Sequence, residues 1–85
     1  MRSFTYVITD EVGMHARPAS LLARQAMGFQ SRCVIHAGGK DEDITGIFRV
    51  IGLKIRKGTE VTVTAEGPDE DAAIAALEET MKEYL

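Results

Sequence analysis

Residues 60–77 read E-V-T-V-T-A-E-G-P-D-E-D-A-A-I-A-A-L, and the hydrophobic period changes within this stretch. From Glu60 to Glu66, apolar and polar side chains alternate, which predicts a strand with one buried face. The Gly67-Pro68 pair ends the strand. The three carboxylates of D-E-D then lie where the positive end of a helix dipole favours them. The helix that follows has an apolar stripe made of Ile74, Leu77, Met81 and Leu85. A strand joined directly to an amphipathic helix predicts a mixed fold.

The N-terminal third repeats this strand and helix order. Ser3–Thr9 alternates as a strand does, and the glycine-containing segment Asp10–Met14 predicts a loop. Apolar residues then recur at helical spacing, which predicts a helix from Ala16 to about Met27. Pro18 fits its first turn, where the missing N–H has no partner to lose. We expect Gly28 to end the helix in the left-handed conformation.

The middle of the chain predicts a hairpin and a short helix. Ser31–Asp43 contains the Gly38-Gly39 pair, a strong turn signal between two strands. Gly46–Leu53 reads as a short helix with Thr45 as its N-cap. The complete order is β-α-β-β-α-β-α. It predicts an α+β fold with a four-stranded, mostly antiparallel sheet and helices covering one face.

Composition narrows the class of protein. A chain of 85 residues with 45% hydrophobic content has room for one core, so we expect a single domain over residues 1–85. No apolar run resembles a signal peptide or a membrane span, and the one cysteine, Cys33, can form no disulfide within the chain, so we expect a cytoplasmic protein. The net charge of -3 argues against general binding of nucleic acid.

The segment Gly13–Ala19 places reactive side chains at the predicted start of a helix. It reads G-M-H-A-R-P-A. The first turn of a helix offers unpaired N–H groups and a positive potential, which together suit an anion such as phosphate. Arg17 can add a charge-assisted contact to the same oxygens. The positive field also disfavours a protonated ring at His15, which leaves a ring nitrogen free to attack phosphorus.

Other interpretations of these residues compete with the phosphate site. A histidine beside a helix start can be only a surface or capping residue, and the spacing alone does not exclude this. His36, on a predicted strand beside a turn, reads as exposed. A zinc site built from His15, Cys33 and His36 lacks the close ligand spacings of structural zinc. No P-loop or G-x-S-x-G motif is present, and we expect neither a metal nor a cofactor.

The G-M-H-A-R-P-A segment resembles the active-site motif of HPr, the histidine-containing phosphocarrier family of the bacterial phosphoenolpyruvate-dependent sugar phosphotransferase system. Three further segments are similar to that family without visible gaps: G-G-K at 38–40, I-R-K-G-T-E-V-T-V at 55–63 and G-P-D-E-D-A-A-I-A-A-L-E-E-T-M-K at 67–82. The resemblance therefore covers essentially the whole chain. It implies an open-faced β-sandwich of four antiparallel strands and three helices.

The resemblance also implies roles for individual residues. His15 is implied to be phosphorylated on its Nδ1 atom, with Arg17 assisting. The positions implied to surround the phosphoryl group are Ala16, Arg17, Pro18 and Ser20. The implied docking surface, called the apolar patch below, consists of Leu21, Ile47, Phe48 and Ile51. Enzyme I is the implied donor and an EIIA domain the acceptor. The protein is then a carrier and not a true catalyst, and we expect a monomer.

The sequence departs from the family in the segment I-T-G-I-F-R-V-I-G. Many Gram-positive members have a serine at the position of Gly46, which a dedicated kinase phosphorylates, and here no hydroxyl is present. Arg49 and Lys54 replace residues that are commonly small, which changes the charge of the docking surface. Two alternatives to a sugar-system carrier therefore stay open. One is a paralogous carrier of a regulatory or nitrogen-linked phosphorelay, and the other is a binding module that acts without phosphate.

Overall fold

Four strands and three helices alternate along the chain as the sequence predicts, in a computed structural model that describes Met1–Leu85. The elements are β1 (Arg2–Val7), α1 (Ala16–Met27), β2 (Arg32–Ala37), β3 (Lys40–Asp43), α2 (Ile47–Gly52), β4 (Glu60–Glu66) and α3 (Glu70–Tyr84). The predicted order β-α-β-β-α-β-α is confirmed, and so is the tight turn at Gly38-Gly39, where both glycines have positive φ.

The strands form one antiparallel sheet in the order β1-β4-β2-β3. Val63 of β4 pairs with Phe4 on one side and Ile35 on the other, and all three side chains are buried. The next position of β4, Thr62, pairs with Thr5, and these side chains lie on the opposite face. This alternation gives the sheet one face covered by helices and one open face, which confirms the predicted α+β open-faced sandwich.

The core lies between the sheet and the helices, and each helix buries only one side. On α1 the buried side chains are Pro18, Ala19, Leu22, Ala23 and Ala26. The predicted stripe of α3 is confirmed, because Ile74, Leu77, Met81 and Leu85 are all buried. Full burial of each large aliphatic side chain contributes about 1.5–3 kcal/mol. None of the three helices has the length and apolar content needed to cross a membrane.

Gly28 ends α1 where the sequence predicts, but its predicted left-handed conformation is wrong, and so is the predicted N-cap of α2. Gly28 has φ -78 and is right-handed, because a tight last turn forms through Gly28 N donating to the Gln25 carbonyl at 3.0 Å. The N-cap of α2 is Gly46 and not Thr45. The Thr45 hydroxyl instead donates to Asp43 Oδ1 at 2.6 Å, and no amide of α2 donates to its oxygen.

Candidate functional site

The loop between β1 and α1 is fixed by hydrogen bonds from both directions. Asp10 Oδ2 accepts from Val12 N at 3.0 Å and from Gly13 N at 3.2 Å, so one side chain folds the loop upon itself. The amides of Thr9 and Asp10 donate to the Leu85 carbonyl oxygen at 2.6 and 2.8 Å. These bonds, within the loop and to Leu85, therefore fix the path by which the loop approaches α1.

A close backbone approach completes this support one residue before the helix. Met14 N donates to the Ile55 carbonyl at 2.9 Å, and the Met14 side chain is buried. Gly13 has φ 76, and a Cβ there would lie 2.6 Å from Ile55 O and 2.8 Å from Arg56 Cα. Only glycine fits this position without displacing the backbone of residues 55 and 56.

His15 lies at the N-cap of α1, the helix start at which the sequence predicts an anion site. Its backbone is extended, with φ -145 and ψ -172, and its carbonyl accepts the first intrahelical bond, from Ala19 N at 3.0 Å. The side chain is exposed and makes no capping hydrogen bond. The ring is therefore held by its backbone at the helix start while its nitrogens stay free of the protein.

The first turn of α1 supplies two free amide donors beside this ring. Because the Ala19 amide makes the first intrahelical bond, the N–H groups of Ala16 and Arg17 have no partner in the helix. Pro18 has no N–H, and its ring is buried. It therefore fixes the turn and does not contribute a donor. Arg17 is exposed, and Ser20 is half-buried one turn along the helix.

The apolar patch lies on α1 and α2, and one of its side chains, that of Phe48, projects into solvent. The side chain of Phe48 is 87% exposed, whereas Ile47 and Ile51 pack against the core. Leu21 is half-buried on α1. A shallow groove separates the two helices, and its walls are formed by Ser20, Ala23, Arg24, Met27 and Ile47. Exposure of an aromatic ring beside a groove is typical of a protein-binding surface.

The two chain segments that contain α1 and α2 carry charges of one sign. Residues 12–27 and 44–59 contain six of the ten Lys and Arg residues and none of the thirteen Asp and Glu residues. Only Lys57 of these six forms an ion pair, with Glu11 at 2.7 Å. The five unpaired cations are Arg17, Arg24, Arg49, Lys54 and Arg56. Arg24 and Arg56 were not predicted as part of this surface, although the lack of carboxylates in these segments is visible in the sequence.

The segment before α2 has a hydroxyl at Thr45 and none at Gly46. Asp43 Oδ1 accepts hydrogen bonds from both the amide and the hydroxyl of Thr45, at 2.9 and 2.6 Å. Partial burial of the Asp43 carboxyl opposes ionisation. The bonds from Thr45 outweigh this effect, with help from Arg32 and Arg49, and they hold the pKa of Asp43 below its ordinary value.

The other histidine and the cysteine lie away from His15 and on two sides of the sheet. The His36 ring is half-buried on the open face, with Nδ1 2.5 Å from Asp41 Oδ1 and Nε2 3.1 Å from Thr64 Oγ1. Cys33 faces the core, where burial, then the carboxylates of Asp43 and Asp69, raise the pKa of its thiol. The structure therefore does not bring these side chains together as zinc ligands.

Comparison with known proteins agrees with this geometry. Residues 2–83 match the family model described as PTS HPr component phosphorylation site. The chain is 46% identical over 81 residues to the phosphocarrier protein HPr of Mycoplasma capricolum, which covers 95% of this chain and 91% of that protein.

Two solved structures are similar over nearly the full chain. The histidine-containing phosphocarrier protein from Mycoplasma superposes with a TM-score of 0.93 at 44% identity, over 96% of this chain and 93% of that one. An HPr from Thermoanaerobacter tengcongensis superposes with a TM-score of 0.91 at 32% identity, over 98% and 93%.

Proposed function

The chain belongs to the HPr family of phosphocarrier proteins of the phosphotransferase system, and from this premise we propose that His15 carries the phosphoryl group. In this proposal His15 Nδ1 accepts the group from phosphorylated Enzyme I, and an EIIA domain removes it. Residues 1–85 act as one domain in the cytoplasm, and no resident cofactor takes part. The system served is a sugar phosphotransferase system.

The observation that carries this proposal is the position of His15 at the N-cap of α1, exposed and without a capping hydrogen bond. A neutral ring nitrogen has a lone pair that can attack phosphorus while the bond to the donor breaks. The free amides of Ala16 and Arg17 and the positive end of the helix dipole favour the charge on the transferred oxygens. The Arg17 guanidinium adds charge-assisted hydrogen bonds to the same group.

The openness of the site suits a carrier better than an enzyme. His15 lines none of the four surface depressions of the molecule. An enzyme of small molecules usually encloses its substrate in a cleft. A phosphohistidine that must be reached by two protein partners in turn benefits from exposure. The apolar patch and the unpaired cations around it supply the contact surface for those partners, and we propose that both partners use it.

The test is incubation with phosphoenolpyruvate and Enzyme I, followed by mass measurement before and after acid treatment. We expect one acid-labile phosphoryl group on the wild type and on His36→Ala, and none on His15→Ala. The His15 ring is exposed, so this substitution should leave the thermal midpoint nearly unchanged. An acid-labile phosphoryl group on His15→Ala would disprove the proposal, because another residue would then carry the phosphoryl group.

A regulatory or nitrogen-linked phosphorelay is a second candidate, and the lack of a hydroxyl at Gly46 favours it. Both candidates require His15, so the first experiment does not separate them. Transfer from the phosphorylated chain to a sugar-type EIIA domain and to a nitrogen-type EIIA domain, measured side by side, does. Faster transfer to the nitrogen-type domain would assign the chain to the second system.

A further inference from the structure

Lys54 is the only residue other than glycine with a positive φ, at 57. It follows Leu53, the C-cap of α2, and its amide donates to the Ile51 carbonyl at 3.1 Å. Glycine is the usual residue at this position after a helix. In an L-residue the left-handed conformation brings Cβ too close to the following carbonyl oxygen. The chain therefore has a lysine at a place where glycine would cost less.

The backbone of Lys54 joins the two parts of the proposed contact surface. On one side its amide is bonded to Ile51, a member of the apolar patch. On the other side the next residue, Ile55, accepts the bond from Met14, which directly precedes His15. Lys54 is thus one residue removed from the contact that holds the His15 loop, and its side chain is exposed.

No contact within the protein accounts for the lysine side chain. Its ammonium forms no ion pair and no hydrogen bond, and no Asp or Glu occurs between residues 44 and 59. Arg49 differs in this respect, because its side chain lies over Gly46 and its charge acts on Asp43. An unfavourable backbone conformation that no internal contact offsets points to a role outside the folded chain.

We propose that Lys54 is a specificity-determining residue of phosphoryl transfer, whose ammonium selects partner surfaces that place a carboxylate beside the apolar patch. This rests on the proposed function of His15. A charge at the edge of a contact surface speeds the encounter with an oppositely charged partner and weakens binding of a like-charged one. The backbone conformation of Lys54 lowers the stability of the fold slightly, and its ammonium favours recognition of acidic partners.

Three substitutions separate the charge from the backbone conformation. Lys54→Gly removes both, Lys54→Gln removes only the charge, and Lys54→Arg keeps both. At low salt we expect transfer from phosphorylated Enzyme I to slow by about fivefold in the glycine and glutamine variants, and to stay near the wild-type rate in the arginine variant. In roughly 1 M salt, where charges are screened beyond about 3 Å, the difference should vanish. Only Lys54→Gly should raise the thermal midpoint, by about 4 °C.

Lys40→Gln is the matched control, because it removes one exposed positive charge without an ion pair from the start of β3, outside the apolar patch. A wild-type rate for Lys54→Gln at low salt would overturn the proposal, and so would an equal loss of rate in Lys40→Gln. A lower thermal midpoint for Lys54→Gly would also overturn it, since the lysine would then serve stability. If the wild type takes up no acid-labile phosphoryl group, the proposed function fails and this inference with it. A phosphorylated wild type with an unaffected Lys54→Gln variant overturns this inference alone.

Discussion

Gly13 and Gly39 have almost the same φ angle and very different surroundings. Their φ angles are 76 and 79, but a Cβ at Gly39 would meet no atom within 4 Å, whereas one at Gly13 would lie 2.6 Å from the Ile55 carbonyl oxygen. At Gly39 the cost of a side chain is conformational only. At Gly13 the backbone that holds the His15 loop must also move.

The two alanine variants should therefore differ in stability and in function. We expect Gly39→Ala to lower the free energy of unfolding by about 1 kcal/mol. Gly13→Ala should lower it by about 2–3 kcal/mol and slow phosphorylation of His15, because the Met14–Ile55 hydrogen bond is strained. Denaturant unfolding and the rate of phosphoryl uptake from Enzyme I measure the two effects. Equal losses of stability in both variants would contradict the steric argument.

At the scale of elements, the start of α3 is tied to the turn that ends α1. Asp69 was predicted to interact with the dipole of α3, and it does lie at the N-cap of that helix, but its carboxylate caps no amide there. It accepts instead from the amides of Gln30 and Ser31, at 2.8 and 2.9 Å, and from the Ser31 hydroxyl. The side chain thus joins α3 to the connection between α1 and β2.

This contact predicts a pH dependence of stability. The bond from the Ser31 hydroxyl, followed by that from the Gln30 amide, lowers the pKa of Asp69 in the folded protein. The unfolded state then binds more protons, so the contribution is complete above the unfolded value of about 3.9 and is lost as the pH falls below it. We expect Asp69→Ala to be less stable than the wild type at pH 7 and to lose less stability on acidification, as measured by thermal unfolding between about pH 2 and 7.

Asp71→Ala is the control for this prediction. Asp71 lies in the same first turn of α3, but its side chain is 81% exposed and contacts only Arg2, at 3.2 Å. An exposed ion pair of this kind contributes little. If Asp71→Ala reproduced the flatter pH profile of Asp69→Ala, the effect would arise from the helix dipole and not from the tie to Ser31.

The start of α2 predicts how the chain responds to the kinase that modifies a serine in many family members. Gly46 has no hydroxyl, and Thr45 donates its own to Asp43, whose carboxylate would repel a phosphate placed there. We expect no acid-stable phosphoryl group on the wild type after incubation with HPr kinase and ATP. Gly46→Ser should accept one, because the nearest atom to a Cβ at this position is 3.4 Å away and serine is a favoured N-cap.

Two variants complete this test. Gly46→Ala should behave as the wild type, which ties the acceptance to the new hydroxyl and not to a change in the helix. An acid-stable phosphoryl group on wild-type Thr45 would show that the modified position has moved by one residue.

For the whole molecule, the features predicted from the sequence are those that local pattern determines. Alternation at Glu60–Glu66 and helical spacing at Ile74, Leu77 and Met81 gave the elements and the core face, since burial follows period. The left-handed conformation of Gly28 and the N-cap of α2 were predicted wrongly. The amide and the hydroxyl of Thr45 both donate to the Asp43 carboxylate, and Gly46 takes the N-cap position. Residue propensity at Thr45 does not predict these contacts.

The candidate site likewise has features that the sequence predicts and features that it does not. The predicted helix start and the resemblance of G-M-H-A-R-P-A both pointed to His15 and Arg17, and helix rules placed a proline in the first turn. The supports of the loop could not be foreseen, because they join residues far apart in sequence: Met14 to Ile55, and Thr9 to Leu85. The positive φ of Lys54 was equally hidden, since lysine gives no sequence signal for a left-handed conformation.

The distribution of charge over the whole molecule leads to the last prediction. Residues 12–27 and 44–59 contain no carboxylate, while the rest of the chain contains all thirteen. Gly52, the last residue of α2, is exposed within the second of these segments, and a Cβ there would meet no atom within 4 Å. Both Gly52→Glu and Gly52→Lys should therefore fold, with stability near or above that of the wild type, because either residue favours helix over glycine by about 0.5–1 kcal/mol.

The phosphoryl-transfer rates of the two variants should differ. A carboxylate repels an acidic partner, so we expect Gly52→Glu to accept phosphoryl groups about fivefold more slowly than Gly52→Lys at low salt, with the ratio approaching one near 1 M salt. Stopped-flow measurement of transfer from phosphorylated Enzyme I provides both rates. Equal rates for the two variants at low salt would mean that partners recognise the apolar patch without reading the charge around it.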